Sequence, residues 1–213
     1  MKSLGLIEVY SFTTAVCVAD VMAKAAQVSV IAFDRNRPIS ADVPAPLVME
    51  VKIEGNTASV QAAIEAGKEY AKKEGKYIVS HVIANPDDQT ESMAYLIDIN
   101  RDKFNKKLIK KTFKNYVPEE DVKGSIGIIE VQGLVASICG LDAMLKAADV
   151  KVIHTEKRLG GRLVTFIVLG KVSAVKAAVE AGEKAAGALG DVYGSSVIAN
   201  THAEVMKFFD LEA

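Results

Sequence analysis

The chain states one pattern twice, and that duplication limits what it can fold into more than any single motif does. Gly5-Leu6-Ile7-Glu8-Val9 returns as Gly127-Ile128-Ile129-Glu130-Val131, 122 positions on. Asp20-Val21-Met22-Ala23-Lys24-Ala25-Ala26 returns at the same separation as Asp142-Ala143-Met144-Leu145-Lys146-Ala147-Ala148. Later blocks lie 115 apart: Glu65-Ala66-Gly67 against Glu180-Ala181-Gly182, and Val82-Ile83-Ala84-Asn85 against Val197-Ile198-Ala199-Asn200. The first copy therefore carries seven extra residues between its early and late blocks. Near-equal copies of everything suit a symmetric assembly better than a single active site. At 213 residues each half has room to bury its own core, so the repeat predicts two domains.

Each copy reads as strand, helix, strand, strand, helix, strand and a short helix. In the first, Leu4 to Val9 is β-rich and leads into a helical period at Ala15, Ala19, Met22 and Ala26. Val28 to Phe33 and Leu47 to Ile53 read as strands, and Tyr77 to Ala84 as a fourth, ended by Asn85-Pro86. Asn56 or Thr57 is placed to cap a helix with Val60, Ala63, Ile64 and Gly67 on its apolar face. The second copy gives strands at Ile126 to Val131, Val150 to Thr155, Leu163 to Leu169 and Val192 to Ala199. Its helices fall near Ala136 to Ala148, Ser173 to Leu189 and His202 to Phe209. Four strands with helices packed on them make an α+β layer in each half. The expected division is 1–86 for the first domain, 87–124 for its last helix and a linker, and 125–213 for the second domain.

Half the residues are apolar, a quarter are charged and the net charge is −1. That balance argues against nucleic-acid binding, which needs a basic footprint. No stretch approaches the ~20 apolar residues of a membrane span, and the N-terminus shows no basic region followed by an apolar core. The expected location is the cytoplasm. Cys17 and Cys139 share one repeat position on helices and read as small buried hydrophobes; a disulfide or a metal site lacks support. The three histidines, His81, His154 and His202, do not repeat and lack ligand spacing. For His154 and His202 a capping or surface role is expected. Glu8 and Glu130 do repeat, and a structural ion pair or hydrogen bond suits them better than general-base chemistry. No phosphate-binding or dinucleotide fingerprint is present. The reading is of a non-enzyme with no cofactor and no metal.

Two segments differ between the copies. The linker carries Arg101, Lys103, Lys106, Lys107, Lys110, Lys111 and Lys114 among Phe104, Leu108, Ile109 and Phe113. This spacing suits an amphipathic, solvated linker helix; a patch for nucleic acid or anionic membrane is the alternative. The other is the connection between second and third strands. In the second copy it is a glycine turn, Glu156-Lys157-Arg158-Leu159-Gly160-Gly161-Arg162, expected to use φ > 0. In the first it is the longer run from Asp34 to Pro46, where the seven extra residues fall. A loop that diverges inside a well-matched duplication marks where the copies differ in function.

These residues resemble bacterial microcompartment shell proteins, whose BMC domains combine a G-x-I-E strand, a D-A-M-x-K-A-A helix and a turn after E-K. A strand reading L-V-T-x-I-V and a helix reading G-x-V-x-A-V-x-A-A follow. The second copy shows Gly127-Ile128-Ile129-Glu130, Asp142 to Ala148, Glu156-Lys157, Leu163 to Val168 and Gly170 to Ala178 in that order; the first copy matches less fully. The resemblance implies two tandem, unpermuted BMC domains, each a four-stranded mainly antiparallel sheet with helices on it. It implies a homotrimer that imitates the hexamer of single-domain relatives and tiles with such hexamers into a shell. Lys24 and Lys146 would lie at the tile edge. Asn85 and Asn200 stand where the family usually has an edge Arg, a departure that bears on edge packing. The divergent loops would line a pore for small metabolites: Pro38, Ile39, Ser40, Ala41, Asp42 and Val43 from one copy, Gly160, Gly161 and Arg162 from the other. Backbone amides of the glycine turn and the Arg162 charge suit anionic or polar solutes. Two rival readings are a duplicated small-molecule-binding regulatory module and an electron-transfer shell component with a pore metal centre. Neither loop has the Cys that such a cluster would use.

Overall fold

The computed structural model describes residues 2–38, 40, 42–87, 90, 124–156 and 159–209. The helix expected within Arg101 to Lys114 falls outside the described residues, as does the rest of 87–124 apart from residues 87, 90 and 124. The chain divides into two compact units, Met1–Tyr10 with Thr14–Val117, and Ser11–Thr13 with Pro118–Ala213.

The first half runs β1 (Ser3–Tyr10), α1 (Phe12–Ala25), β2 (Ser29–Asn36), β3 (Val48–Gly55), α2 (Thr57–Lys73) and β4 (Tyr77–Ile83). Its sheet order is β2-β3-β1-β4, antiparallel throughout. The helical crossover from β1 therefore skips a place, and β3 later fills the gap, as in a split βαβ unit. The second half repeats the plan with β5 (Ser125–Gln132), α3 (Leu134–Ala147), β6 (Val150–Glu156), β7 (Leu163–Gly170), α4 (Val172–Gly187) and β8 (Val192–Ile198). Its sheet order, β6-β7-β5-β8, is the same. A final helix, α5 (Ala203–Met206), closes it. The expected α+β class with two four-stranded sheets is what the chain forms.

The match extends to irregularities. The β1–β4 ladder shifts register between Glu8 and Val9, and the β5–β8 ladder between Glu130 and Val131. The β2–β3 ladder shifts at Val30/Ala32, and β6–β7 at Val152/His154. Bulges sharpen local twist and re-aim side chains, so both sheets are bent at equivalent points.

Small residues set how closely the layers approach. A Cβ on Gly5 would come within 2.8 Å of both Ile53 and Val60, so α2 lies tight against β1. Gly127 meets Val175 of α4 at 2.8 Å in the same way. The helices cross at a second matched pair. A Cβ on Gly67 would lie 2.8 Å from Met22 Cγ, and one on Gly182 would strike Met144. Asn56 caps α2 as expected, its Oδ1 accepting from Ser59 N at 2.8 Å. The face predicted for that helix, Val60, Ala63, Ile64 and Gly67, is buried together with Ala71.

Three expectations need correction. Cys17 is buried, but Cys139 is exposed. The same helical position has different surroundings in the two copies, which repeat spacing does not encode. His154 is not a surface residue: its side chain is 10% exposed. The ring packs 5.4 Å from Phe209, with Nε2 4.0 Å from Glu156 Oε2. Its partner ring comes from the chain's last described residue, a contact invisible to local pattern. The last helix spans only Ala203–Met206, because Phe208 and Phe209 continue as a turn that buries both rings. His202 does cap it, with Nδ1 accepting from Glu204 N at 3.2 Å.

Candidate functional site: hairpin loops and helix ends

The two divergent loops occupy equivalent places in their own units, between β2 and β3 and between β6 and β7. Eleven residues separate the first pair of strands and six the second. In the long loop Pro38 and Val43 are half-buried, while Ser40 and Asp42 face solvent. Asp42 N donates to Ser40 Oγ at 3.1 Å. Ala45 and Leu47 are buried and anchor the loop's return. Ile39 and Ala41 lie outside the described residues.

The short loop is a run of left-handed residues, Gly160 (φ 90), Gly161 (φ 61) and Arg162 (φ 62), all exposed. The two glycines adopt this conformation freely, as expected; Arg162 does so against a cost of about 1–2 kcal/mol. What holds it is two hydrogen bonds from the end of β5 and one within the turn. Gly133 N donates to the Arg162 carbonyl at 2.9 Å, Gln132 Nε2 to the Gly161 carbonyl at 2.8 Å, and Leu163 N to the Gly160 carbonyl at 3.0 Å. Those carbonyls are occupied, and the Arg162 side chain faces solvent.

Lys24 and Lys146 are exposed in the last turns of α1 and α3. Each pairs with the aspartate one turn earlier: Lys24 Nζ to Asp20 Oδ2 at 2.6 Å, and Lys146 Nζ to Asp142 Oδ2 at 2.6 Å. Asp20 is buried and Asp142 is not. Asn85 and Asn200 are both exposed, and Asn200 is left-handed with φ 51, a conformation Asn tolerates well.

Glu130 takes the structural hydrogen bonds expected of it, but its partners, and a second polar arrangement, were not legible in the sequence. In the second unit Glu130, with no exposed surface, accepts through Oε2 from Ser11 Oγ at 2.6 Å and Thr13 N at 3.0 Å. Thr13 belongs to the first turn of α1, where free N–H groups and the helix dipole favour a carboxylate. Ser11 has φ 76, and its hydroxyl bond to Glu130 offsets that strain. The signal was available: Ser11 stands where the second copy has Gly133, also left-handed at φ 99. On the first sheet the ladder aligns Asp34, Glu50 and Glu8 across β2, β3 and β1. Buried Lys52 sits among them, Nζ 3.6 Å from Glu50 Oε2 and 3.9 Å from Asp34 Oδ2. Burial raises the Glu50 carboxyl above its ordinary range; Lys52 opposes this, and Asp34 and Glu8 add to it. Spacing alone shows alternate charged residues in a strand, not which strands stand beside them.

Among the described residues no three His, Cys, Asp or Glu side chains gather as a metal site. No described helix is long and apolar enough to cross a membrane.

The BMC domain model matches this chain twice, over residues 3–86 and 125–201. The carboxysome assembly protein CcmO of Synechococcus elongatus is 33% identical over 196 residues, covering 92% of this chain and 64% of the relative. The chain thus spans less than two thirds of that relative's length. The microcompartment shell protein PduA of Citrobacter freundii is 46% identical over 83 residues, 39% of this chain and 88% of PduA. A solved microcompartment protein from Desulfitobacterium hafniense is 24% identical over 97% of this chain and 99% of its own, with a TM-score of 0.38. On its two domain matches, the chain belongs to the BMC-domain family of bacterial microcompartment shell proteins and carries two such domains in tandem.

Proposed function

We propose that this protein is a non-catalytic shell subunit that assembles as a homotrimer, so that six BMC domains form one pseudohexameric tile in the bacterial cytoplasm. Lys24, Lys146, Asn85 and Asn200 form the tile edge that meets hexameric shell proteins. The Pro38–Val43 and Gly160–Arg162 loops ring the central pore, three copies of each. The observation that carries the reading is the agreement of the two units in strand order, ladder register and bulge position. Two units of one shape in one chain let a threefold ring approximate a sixfold one, while their loops diverge. The pore then alternates a long loop presenting Ser40 and Asp42 with a short one presenting Arg162. It suits small polar metabolites more than apolar ones, since apolar loop residues such as Ala45, Leu47 and Leu159 are buried.

The test is assembly. Overexpressed protein, alone or with a hexameric shell protein, should form extended sheets or tubes by electron microscopy. Combined Lys24→Ala and Lys146→Ala should abolish them without changing the native mass. Unaltered sheets in the double variant would overturn the edge assignment.

A further inference from the structure

We propose that the joint between neighbouring chains is made by the start of α3 from one copy, seated on the Glu8–Val79 step of the first sheet of the next. This deepens the trimer reading and rests on it for the count of chains.

The template lies within the second unit. There the segment Ser11–Thr13 sits on Glu130 of β5 and Gly194 of β8, which face each other in the ladder. Ser11 Oγ and Thr13 N donate to the carboxylate, and a Cβ at Gly194 would lie 2.8 Å from Thr13 Cβ and 3.1 Å from Ser11 Oγ. Every part of this contact has a repeat counterpart. Glu8 and Val79 face each other in the β1–β4 ladder as Glu130 and Gly194 do. Gly133 and Val135 stand where Ser11 and Thr13 stand, and both turn residues are left-handed.

Those counterparts are bare. Val79 is 51% exposed, Val135 71% and Leu134 63%, whereas Thr13 is 4% exposed and Phe12, the counterpart of Leu134, 1%. One helix turn on, Ile138 is 53% exposed where Val16 is fully buried. Such a run of apolar side chains on one helix face calls for a partner. The sizes also complement each other. The filled contact sets a serine side chain against a glycine; the bare one sets Gly133 against Val79. Bulk has moved from the helix turn to the strand, and the space left by the missing Ser11 side chain takes part of Val79. Val135 against Val79 repeats the 2.8 Å approach of Thr13 to a Cβ at Gly194, so this joint sits about 1 Å more open than the filled one. Charge agrees, since Asp34, Glu50 and Glu8 outnumber Lys52 on the receiving sheet and a helix N-terminus brings partial positive charge. Val135 N then donates to Glu8 as Thr13 N does to Glu130. The occupant is a second copy of this chain because both halves of the contact are present in it. The contact is head-to-tail, and such contacts close into rings when the rotation allows.

The experiment is a disulfide trap. Val79→Cys and Val135→Cys are combined in a Cys139→Ser background and oxidised mildly. The template approach of 2.8 Å is shorter than the roughly 3.5–4.5 Å between Cβ atoms that a disulfide spans, and the more open joint brings the pair into that range. A reducible ladder of covalent dimer and trimer is expected, absent from either single-cysteine variant. Both thiols reacting with a maleimide, with wild-type circular dichroism and no covalent oligomer, would overturn the joint. Native mass, measured in parallel, separates the two claims. A trimer that fails to cross-link keeps the trimer and removes this joint; a cross-linked ring of another size keeps the joint and removes the trimer. Should the cysteine pair misfold, Val79→Arg replaces it, an exposed change expected to weaken self-association at least tenfold. Unchanged association would refute the proposal.

Discussion

Replacing Glu130 by alanine probes the best-defined buried polar contact in the chain. Its carboxylate takes hydrogen bonds from Ser11 Oγ and Thr13 N, both on residues less than 5% exposed. A hydrogen bond to a charged group contributes about 1.5–3 kcal/mol, and its loss here strands buried donors. The two together therefore set a cost of roughly 3–6 kcal/mol. For a chain of this length each kcal/mol lowers Tm by about 2–4 °C, so a fall on the order of 10 °C is expected by far-UV circular dichroism. Glu130→Gln keeps an acceptor oxygen of the same reach and should cost only about 1 kcal/mol. Ser11→Gly should cost less in the alanine background than in the wild type. Without the carboxylate its hydroxyl has lost this partner, while relief of φ 76 remains. A Glu130→Ala protein melting within a degree of wild type, or strict additivity with Ser11→Gly, would refute the reasoning.

Other outcomes follow from the same geometry. Gly182→Ala, whose Cβ would strike Met144 and lie 3.2 Å from the Gly140 carbonyl, should destabilise by about 1–3 kcal/mol in urea denaturation despite its better helix propensity; a stabilised variant would contradict the tight crossing. Glu50 has a raised folded-state pKa, so the folded state holds its proton more firmly than the unfolded state. Its contribution to stability is fully present below the ordinary carboxylate range and lost as pH rises through the raised value. Glu50→Gln should therefore flatten the stability–pH curve across that window, and an identical curve would contradict the assignment. Lys146→Ala removes an exposed ion pair contributing a few tenths of a kcal/mol, so Tm should hold constant while sheet formation is lost. Arg162→Gly should raise stability by up to about 1 kcal/mol by freeing a left-handed position; a fall of that size would show that the side chain supports the turn.

The elements that sequence made legible are those set by local chemistry or by repetition. Asn56 announced its helix because an N-cap is a property of a few adjacent residues, and Gly160-Gly161 announced a turn for the same reason. The Met22–Gly67 crossing was visible only as a matched block, yet it recurs as Met144–Gly182 because both copies solve one packing problem. Strand ends came out short at Tyr10, Asn36 and Gln132, since ladder pairing, not hydrophobicity, sets where a strand stops. What stayed hidden is non-local. Nothing near Cys139 distinguishes it from buried Cys17, nothing near His154 names Phe209, and nothing near Glu130 names Ser11. The repeat of Glu8 as Glu130 marked a structural carboxylate, and the serine-for-glycine exchange between positions 11 and 133 was the trace of its partner.

Native mass in solution tests the central claim most directly. Sedimentation equilibrium at micromolar concentration should give three times the 22.8 kDa chain mass, with no smaller species in excess. A stable monomer at that concentration would contradict the pseudohexameric shell subunit and the joint together.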